Sequence, residues 1–230
     1  MEDELTILSA GAVKPGLTKV IDAFRHESNY EVRVSFATAP AILKKIGGGE
    51  PVDLVVAPPK VLDELANTGK FPGADRITVG RIGVGVMVRD GAPLPAISTV
   101  DEFKSALINA ESLVYNQAST GIYLEALFDR LGIGAALQAR SSRYPDFAAV
   151  LEHVRRGNGR EIGLGATTVI IESSNQGVQF AGPLPEPIQN YTAYAAATIA
   201  VGGAKQAAQQ FMRYLSSTAA RSLLSAAGIQ

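Results

Sequence analysis

The fold is indicated most directly by residues 34–59, VSFATAPAILKKIGGGEPVDLVVAPP. The stretch begins inside one apolar β-type run, Val32–Phe36, and closes with another, Val52–Val56. Between them, Pro40 suits the first turn of a helix and Gly47–Gly49 suits its end, because a missing N–H costs nothing at a helix start. A strand, a helix and a strand within this length predict a right-handed parallel βαβ unit. The junction after the first strand lies at a carboxyl end, where open α/β sheets bind ligands.

Strands and helices alternate along the rest of the chain, which predicts an α/β fold with mainly parallel sheets covered by helices on both faces. We predict further strands at Leu5–Ser9, Ile77–Val79, Ile82–Val88, Leu113–Asn116, Ile162–Gly165 and Val178–Ala181, and an extended run at Tyr191–Val201. We predict further helices after Pro15, at Pro59–Asn67, Val100–Asn109, 119–132, Asp146–Arg156, 167–177, Ala204–Leu215 and Thr218–Ala226. Gly80 is expected to break the two consecutive strands, and Thr99 with Glu102 matches a capping box.

Two of the predicted strands, Ile82–Val88 and Tyr191–Val201, are long and follow Gly- or Pro-rich junctions. They suit a chain that crosses from one lobe to another and returns. We therefore expect lobe one to comprise residues 1–80 and 193–230, and lobe two to comprise residues 81–192. A ligand would lie in a cleft between the lobes, and closure about a two-stranded hinge would be the working motion.

Composition excludes several classes of site. The 230 residues include no cysteine, no tryptophan and two histidines, so we expect neither a metal site nor another cofactor. The formal net charge of −1 does not favour nucleic acid or an anionic membrane surface. We expect a monomer.

The beginning of the sequence, MEDELTIL, is acidic and enters the first predicted strand at once, without a basic and apolar leader. We expect a periplasmic protein if a leader has been removed and a cytoplasmic one if Met1 is the native start.

The sequence resembles the type II solute-binding proteins of ABC importers, especially the molybdate-binding branch, over nearly its whole length. The segments that carry the resemblance are LSAGAVKPGL at 8–17, VSFATAP at 34–40, GGGEPVDLVVAPP at 47–59, STGIY at 119–123 and FMRYLSSTAARSLLSAAGI at 211–229. The resemblance implies two α/β lobes, a two-stranded hinge, an ABC transporter permease as partner, and a small anion held mainly by neutral donors at helix N-termini.

Helix N-termini suit an anion because their first N–H groups lack intrahelical partners and carry a partial positive charge. Three predicted starts qualify: Ala12–Pro15 with Gly11 before it, Thr38–Ala41 with Ala39 inside it, and Ser119–Ile122. In the molybdate branch two serines and a tyrosine also grip the anion, and this sequence aligns Ala12, Ala39 and Ala166 with them. We therefore expect molybdate and tungstate to bind weakly, and a small organic acid or another oxyanion to bind better.

Other polar residues follow predicted strands and are candidates to replace those hydroxyl groups. They are Thr38, Asn116, Ser119, Thr120 and Thr167. The alternative for each Ser and Thr is that it caps a helix. Arg143, with Tyr144 beside it, could pair with a carboxylate, although a solvated loop arginine and a surface Lys14 remain alternatives.

Three functions follow from these residues. The leading hypothesis is a solute-binding protein that delivers a small anion to an ABC importer. A cytoplasmic ligand sensor or carrier on the same scaffold is the second. An enzyme is the third and least supported, because no nucleophile with a base and an orienting acid is evident in the sequence.

Overall fold

The quoted stretch folds as a strand, a helix and a strand, and the same alternation continues along the chain. The computed structural model describes residues 4–69, 76–158, 160–174, 176–199 and 205–230. The strands are β1 Glu4–Ala10, β2 Glu31–Ala37, β3 Leu54–Ala57, β4 Arg76–Ile82, β5 Val84–Arg89, β6 Ser112–Asn116, β7 Ser141–Tyr144, β8 Glu161–Ala166, β9 Val178–Pro183 and β10 Thr192–Thr198. The helices are α1 Lys14–Ser28, α2 Ala39–Gly47, α3 Pro59–Asn67, α4 Val100–Asn109, α5 Ser119–Arg130, α6 Gly134–Gln138, α7 Phe147–Arg156, α8 Thr167–Ser173, α9 Lys205–Leu215 and α10 Thr218–Ala226.

These elements form two units, each with its own five-stranded sheet. Unit 1 consists of Met1–Ile82 and Ala193–Gln230, and unit 2 of Gly83–Thr192. The chain therefore passes from one unit to the other twice, once after β4 and once at the start of β10. The predicted α/β architecture, in which each of two units has its own sheet flanked by helices, is confirmed.

The sheet of unit 1 has the order β2-β1-β3-β10-β4. Strand β1 is parallel to both β2 and β3, and Ile7 pairs with Val34 on one side and Leu54 on the other. Strand β10 runs antiparallel to β3, with Ala195 opposite Ala57. The carboxyl ends of β1, β2 and β3 therefore share one edge with the start of β10. We call this edge rim 1.

The sheet of unit 2 has the order β7-β6-β8-β5-β9. Strand β6 is parallel to β7 and β8, whereas β5 is antiparallel to β8, with Val84 opposite Ala166. The carboxyl ends of β6, β7 and β8 thus share an edge with the start of β5, and we call this edge rim 2. Each sheet combines parallel strands with an antiparallel strand that arrives from the other unit, a mixture that the alternation of elements did not predict.

Both faces of each sheet are buried by helices, which explains the nearly continuous apolar strands. In unit 2, Val86 and Leu164 belong to the core on one face, while Met87 and Val154 belong to the core on the other. In unit 1 the largest fully buried side chains include Leu5, Ile7, Leu8, Leu17 and Ile21.

Two boundary predictions were wrong for identifiable reasons. The break between β4 and β5 falls at Gly83 instead of Gly80. Gly80 lies inside β4 with φ +145, and a Cβ there would meet the carbonyl oxygen of Gln230 at 2.7 Å, so its glycine accommodates the chain end. Strand β7 was missed because its sequence, SSRY, has no apolar alternation.

Of the helix-cap predictions, one is confirmed and two are wrong. Thr99 and Glu102 form the predicted capping box of α4. The predicted caps of α5 and α8 lie inside those helices, which are preceded by Ala118 and Ala166 and have no side-chain cap. The predicted ends at Val201 and Ala204 fall outside the described residues.

Candidate functional site

Rim 1 brings together four of the sequence-predicted residues, Gly11, Ala12, Thr38 and Ala39. Strand β1 ends at Ala10 and continues through a 3-10 turn, Gly11–Val13, directly into α1. Strand β2 ends opposite it, since Ala10 pairs with Ala37, so Thr38 and the start of α2 lie beside the start of α1. Two helix N-termini therefore meet at neighbouring strand ends, the arrangement that favours an anion.

Thr38 has a hydroxyl group available for a ligand. It is the residue before α2, and its carbonyl accepts from the N–H of Ile42 at 2.9 Å. Its side chain makes no cap hydrogen bond, although threonine at this position usually caps a helix. The capping alternative for Thr38 therefore does not hold, and the half-buried hydroxyl remains free to contact a ligand.

Lys14 adds a positive charge to rim 1. It is the first residue of α1, and its Nζ lies 6.0 Å from the ring centroid of Phe36, near the carboxyl end of β2. Lys14 is exposed and makes no ion pair among the residues that the structure describes. The sequence identified this lysine only as a surface charge, because its position over β2 depends on the pairing of β1 with β2.

Tyr194 is a residue at rim 1 that the sequence did not single out. It lies at the start of β10, one residue before the Ala195–Ala57 pair. The side chain is 5% exposed, and its burial raises the pKa of Tyr194 to about 12. The phenol is therefore neutral and a hydrogen-bond donor near neutral pH. No sequence pattern singled out Tyr194, because it lies within an apolar strand.

Rim 2 brings Asn116, Ser119 and Thr120 together at the end of β6. The Oδ1 atom of Asn116 accepts from the N–H of Ala118 at 3.1 Å, and the N–H of Gln117 donates to the carbonyl of Tyr144 at 2.8 Å. These bonds hold the short connection between β6 and α5 against β7. Ser119 and Thr120 are the first two residues of α5 and are half-buried.

Gly121 fixes the start of α5, and the sequence analysis missed it. A Cβ at this position would overlap the carbonyl oxygen of Asn116. The first turn of α5 thus lies directly against the end of β6, an approach that glycine alone allows. The glycine in STGIY could have indicated this close approach, but glycines occur in helices for several other reasons.

The backbone N–H of Thr167 is already used within unit 2. It donates to the carbonyl of Gly83 at 3.0 Å, which ties the start of α8 to the start of β5. The half-buried hydroxyl group is the part of Thr167 that can contact a ligand. Ala166, which precedes it, is 8% exposed.

Arg143 and Tyr144 do not act together, because consecutive strand residues point to opposite faces. The Nε of Arg143 lies 2.6 Å from Oε1 of Glu125 on α5. The hydroxyl of Tyr144 lies 2.9 Å from Nδ1 of His153 on α7. The two residues lie on a strand, β7, where a loop was predicted, and both side chains have partners inside unit 2. That Arg143 pairs with a ligand carboxylate stays a prediction.

A polar cluster surrounds the Arg143–Glu125 pair on the α5 side of β7. Burial, the largest cause, raises the pKa of the Tyr115 phenol, a hydrogen bond with Ser141 lowers it, and the neighbouring Glu125 carboxylate raises it. These contacts join β6, β7 and α5, and so hold the N-terminus of α5 in place.

Over the described ranges, no three or more His, Asp and Glu side chains gather as metal ligands. In the same ranges, none of the helices combines the length and the apolar character needed to cross a membrane.

Two α/β units, each with helix starts at the carboxyl ends of parallel strands, define a two-lobed solute-binding fold. The chain belongs to the family described as bacterial extracellular solute-binding protein, whose model matches residues 5–230. The periplasmic molybdate-binding protein of Azotobacter vinelandii has a similar structure, with a TM-score of 0.82, 18% identity and 98% of each chain covered. The resemblance to the molybdate-binding branch is thereby confirmed at the level of family and fold.

Two further proteins extend this comparison. The sulfate-binding protein of Mycobacterium tuberculosis gives a TM-score of 0.78 at 18% identity, covering 98% of this chain and 86% of that one. In sequence, the aconitate isomerase of a Pseudomonas species is 28% identical over 232 residues, covering 98% of this chain and 87% of the relative.

Proposed function

We propose that this protein binds a small organic anion with several carboxylate groups and delivers it to the permease of an ABC importer. The observation that carries the proposal is the chemistry of rim 1. Alanines stand at positions 12 and 39, where the molybdate branch has serines, and an unpaired Lys14 lies close by. That rim 1 and rim 2 close on one ligand in a cleft stays a prediction.

The alanines favour a ligand that contains carbon. An inorganic oxyanion presents oxygen in every direction, so each missing hydroxyl leaves an oxygen without a donor, which costs free energy once water is excluded. A polycarboxylate presents oxygens only at its ends and an apolar chain between them. Helix starts and Lys14 suit those ends, while the methyl groups of Ala12 and Ala39 suit the chain between.

The comparison with the Pseudomonas relative supports the same class of ligand. Its name specifies aconitate, a compound with three carboxylate groups, and its similarity extends over 98% of this chain. The family description supports a location outside the cytoplasm, where a binding protein meets its permease. A cytoplasmic sensor or carrier remains the alternative for a protein made without a leader.

Calorimetric titration tests the proposal. The full chain is titrated with trans-aconitate, cis-aconitate, citrate, molybdate and sulfate at one ionic strength. We expect a polycarboxylate to bind in the micromolar range or tighter, and molybdate at least a hundredfold more weakly. Tight molybdate binding without carboxylate binding would overturn the assignment of the ligand class.

A second candidate function, isomerisation of the bound carboxylate, is favoured by the name of the same relative. Rotation about a C=C bond requires its double-bond character to be lost, most simply by moving a proton, and this needs a base at the ligand. Asp146 at rim 2 is a candidate for this base, although its Oδ1 accepts from the N–H of Ala149 at 3.0 Å.

Proton NMR separates binding from isomerisation. Each isomer of aconitate is incubated with the protein in D2O, and the vinyl signals are followed for interconversion and loss of protons to deuterium. Unchanged spectra at saturating protein support the binding function. Interconversion by the native protein that disappears in Asp146→Asn would establish an enzyme and contradict the expectation of a non-catalytic chain.

A further inference from the structure

The register of β10 places Tyr194 at rim 1. Strand β10 runs antiparallel to β3 with Ala195 opposite Ala57, the last residue of β3. Tyr194 comes one residue earlier, so its backbone lies just beyond the carboxyl end of β3, next to Pro58. This is the same edge at which β1 ends before Gly11 and β2 ends before Thr38.

Strand alternation also settles which face of the sheet carries the Tyr194 side chain. Ala196 pairs with Val56, and Val56 pairs with Ser9, so these three residues lie on one face. Tyr194 is two residues before Ala196 and shares that face. Ser9 is fully buried there, and its Oγ donates to the carbonyl of Ala10 at 3.2 Å.

The Tyr194 hydroxyl lacks the partner that a buried phenol usually has. The residue is 95% buried by its 5% exposure, yet across the described ranges its oxygen makes no hydrogen bond. The ring is thus held by packing, and its hydroxyl is a hydrogen-bond donor that a ligand can satisfy.

Packing alone does not explain this residue. Tyr194 is the second residue of the C-terminal segment of unit 1, which begins at Ala193. An aromatic ring there could serve simply to support the chain where it passes from one unit to the other. A phenylalanine would give the same support without the cost of desolvating a hydroxyl. The oxygen, and not the ring, is therefore what requires a function.

We propose that the Tyr194 hydroxyl donates a hydrogen bond to one carboxylate of a polycarboxylate ligand whose other end lies at Thr38 and Lys14. This assignment rests on the proposed function and specifies its ligand. The strand order β2-β1-β3-β10 separates the two positions by three strand spacings, about 14 Å between backbones. The proposal requires the side chains and a small polycarboxylate to bridge this gap together, whereas a tetrahedral oxyanion is too short to contact both ends.

Titration of Tyr194→Phe with trans-aconitate tests the inference. The ring and its packing stay, and only the hydroxyl is lost. We expect affinity to fall about tenfold to a hundredfold, the usual effect of one hydrogen bond to a charged group. Tyr214→Phe is the matched control, since its hydroxyl lies on α9 at 2.9 Å from Oε1 of Glu27 and we expect its affinity to be unchanged.

A second measurement uses the native chain. With tyrosines labelled at 13Cζ, the Tyr194 resonance, assigned by its loss in Tyr194→Phe, is expected to shift on addition of trans-aconitate, while that of Tyr214 stays in place. Wild-type affinity in Tyr194→Phe, or a Tyr194 signal that does not move at saturation, would overturn this inference and leave the proposed function intact. A wild-type protein that binds no polycarboxylate at all would overturn both.

Discussion

Rim 1 and rim 2 are built alike but differ in how their polar groups are used. Each lies at the carboxyl ends of three parallel strands and the start of one antiparallel strand. At rim 1 the side chains of Thr38, Lys14 and Tyr194 make no hydrogen bond or ion pair among the described residues. At rim 2 the side chains of Asn116 and Arg143 are bonded within unit 2.

The difference suggests a division of work between the rims. Donors without partners at rim 1 can bind and select a ligand, because binding costs them no internal hydrogen bond. The bonded groups at rim 2 instead hold α5 so that its first N–H groups stay in place. Such preorganisation lowers the entropy that binding costs. The predictions below test this contrast, beginning with the largest expected effect.

The largest effect concerns the three alanines. Each hydrogen bond to a charged group contributes about 1.5–3 kcal/mol. Without the hydroxyls that Ala12, Ala39 and Ala166 replace, molybdate and tungstate should bind several powers of ten more weakly than in a site that has them. Titration of the native chain and of Ala12→Ser/Ala39→Ser measures this, and the double variant should gain molybdate affinity. Submicromolar binding of molybdate to the native chain would show that backbone donors suffice.

Substitutions of one glycine at each rim, Gly121 and Gly11, compare how much each position contributes to the free energy of unfolding. Gly121→Ala should destabilise unit 2 by about 3 kcal/mol, because its Cβ overlaps the carbonyl of Asn116. Gly11→Ala should change stability little, since a Cβ there meets nothing within 4 Å. Thermal unfolding followed by circular dichroism reports both, with a fall of roughly 10 °C expected for Gly121→Ala. Equal losses of stability for the two substitutions would contradict the closer packing of the backbone at rim 2.

Lys14 at rim 1 and Arg143 at rim 2 allow the contribution of one cation from each rim to ligand affinity to be compared. Lys14→Met should weaken trans-aconitate binding about threefold to tenfold and reduce its salt dependence, because it removes an unpaired charge near the ligand. Arg143→Met should have a smaller effect, since Arg143 is paired with Glu125 at 2.6 Å. Titrations at low and high salt measure both. A larger loss for Arg143→Met would move ligand recognition to rim 2.

The smallest expected effect is a dependence of stability on alkaline pH. Folding raises the pKa of Tyr194 from 10.0 to about 12, so the unfolded chain loses this proton first as pH rises. The resulting stabilisation is complete below pH 10 and is lost as pH rises through 12. Between pH 9 and pH 11, native stability should therefore fall by about 1 kcal/mol more than that of Tyr194→Phe. Denaturant unfolding across this range measures the difference, and parallel curves would show that the phenol titrates normally.

Local sequence signals predicted much of the fold. Proline and glycine marked the ends of α2, the Thr99–Glu102 pair capped α4, and residues 59–67 and 100–109 form helices with the predicted limits. These features depend on interactions within a few residues, which a sequence pattern contains. The predicted strand boundary at Gly80 was wrong because this glycine packs against Gln230, a residue distant in the sequence.

The sequence by itself determined the family, the alternation of strands and helices, and the placement of candidate donors after strands. Only the tertiary structure decided which donors remain available. The side chain of Arg143 is paired with Glu125 on α5, and the backbone N–H of Thr167 is bonded to the carbonyl of Gly83, which is distant in the sequence. Tyr194 reaches rim 1 because β10 runs antiparallel to β3, a pairing of residues more than a hundred positions apart. A hydrogen bond depends on distance in space, and the order of strands in a sheet, which sets that distance, is not written in any local pattern.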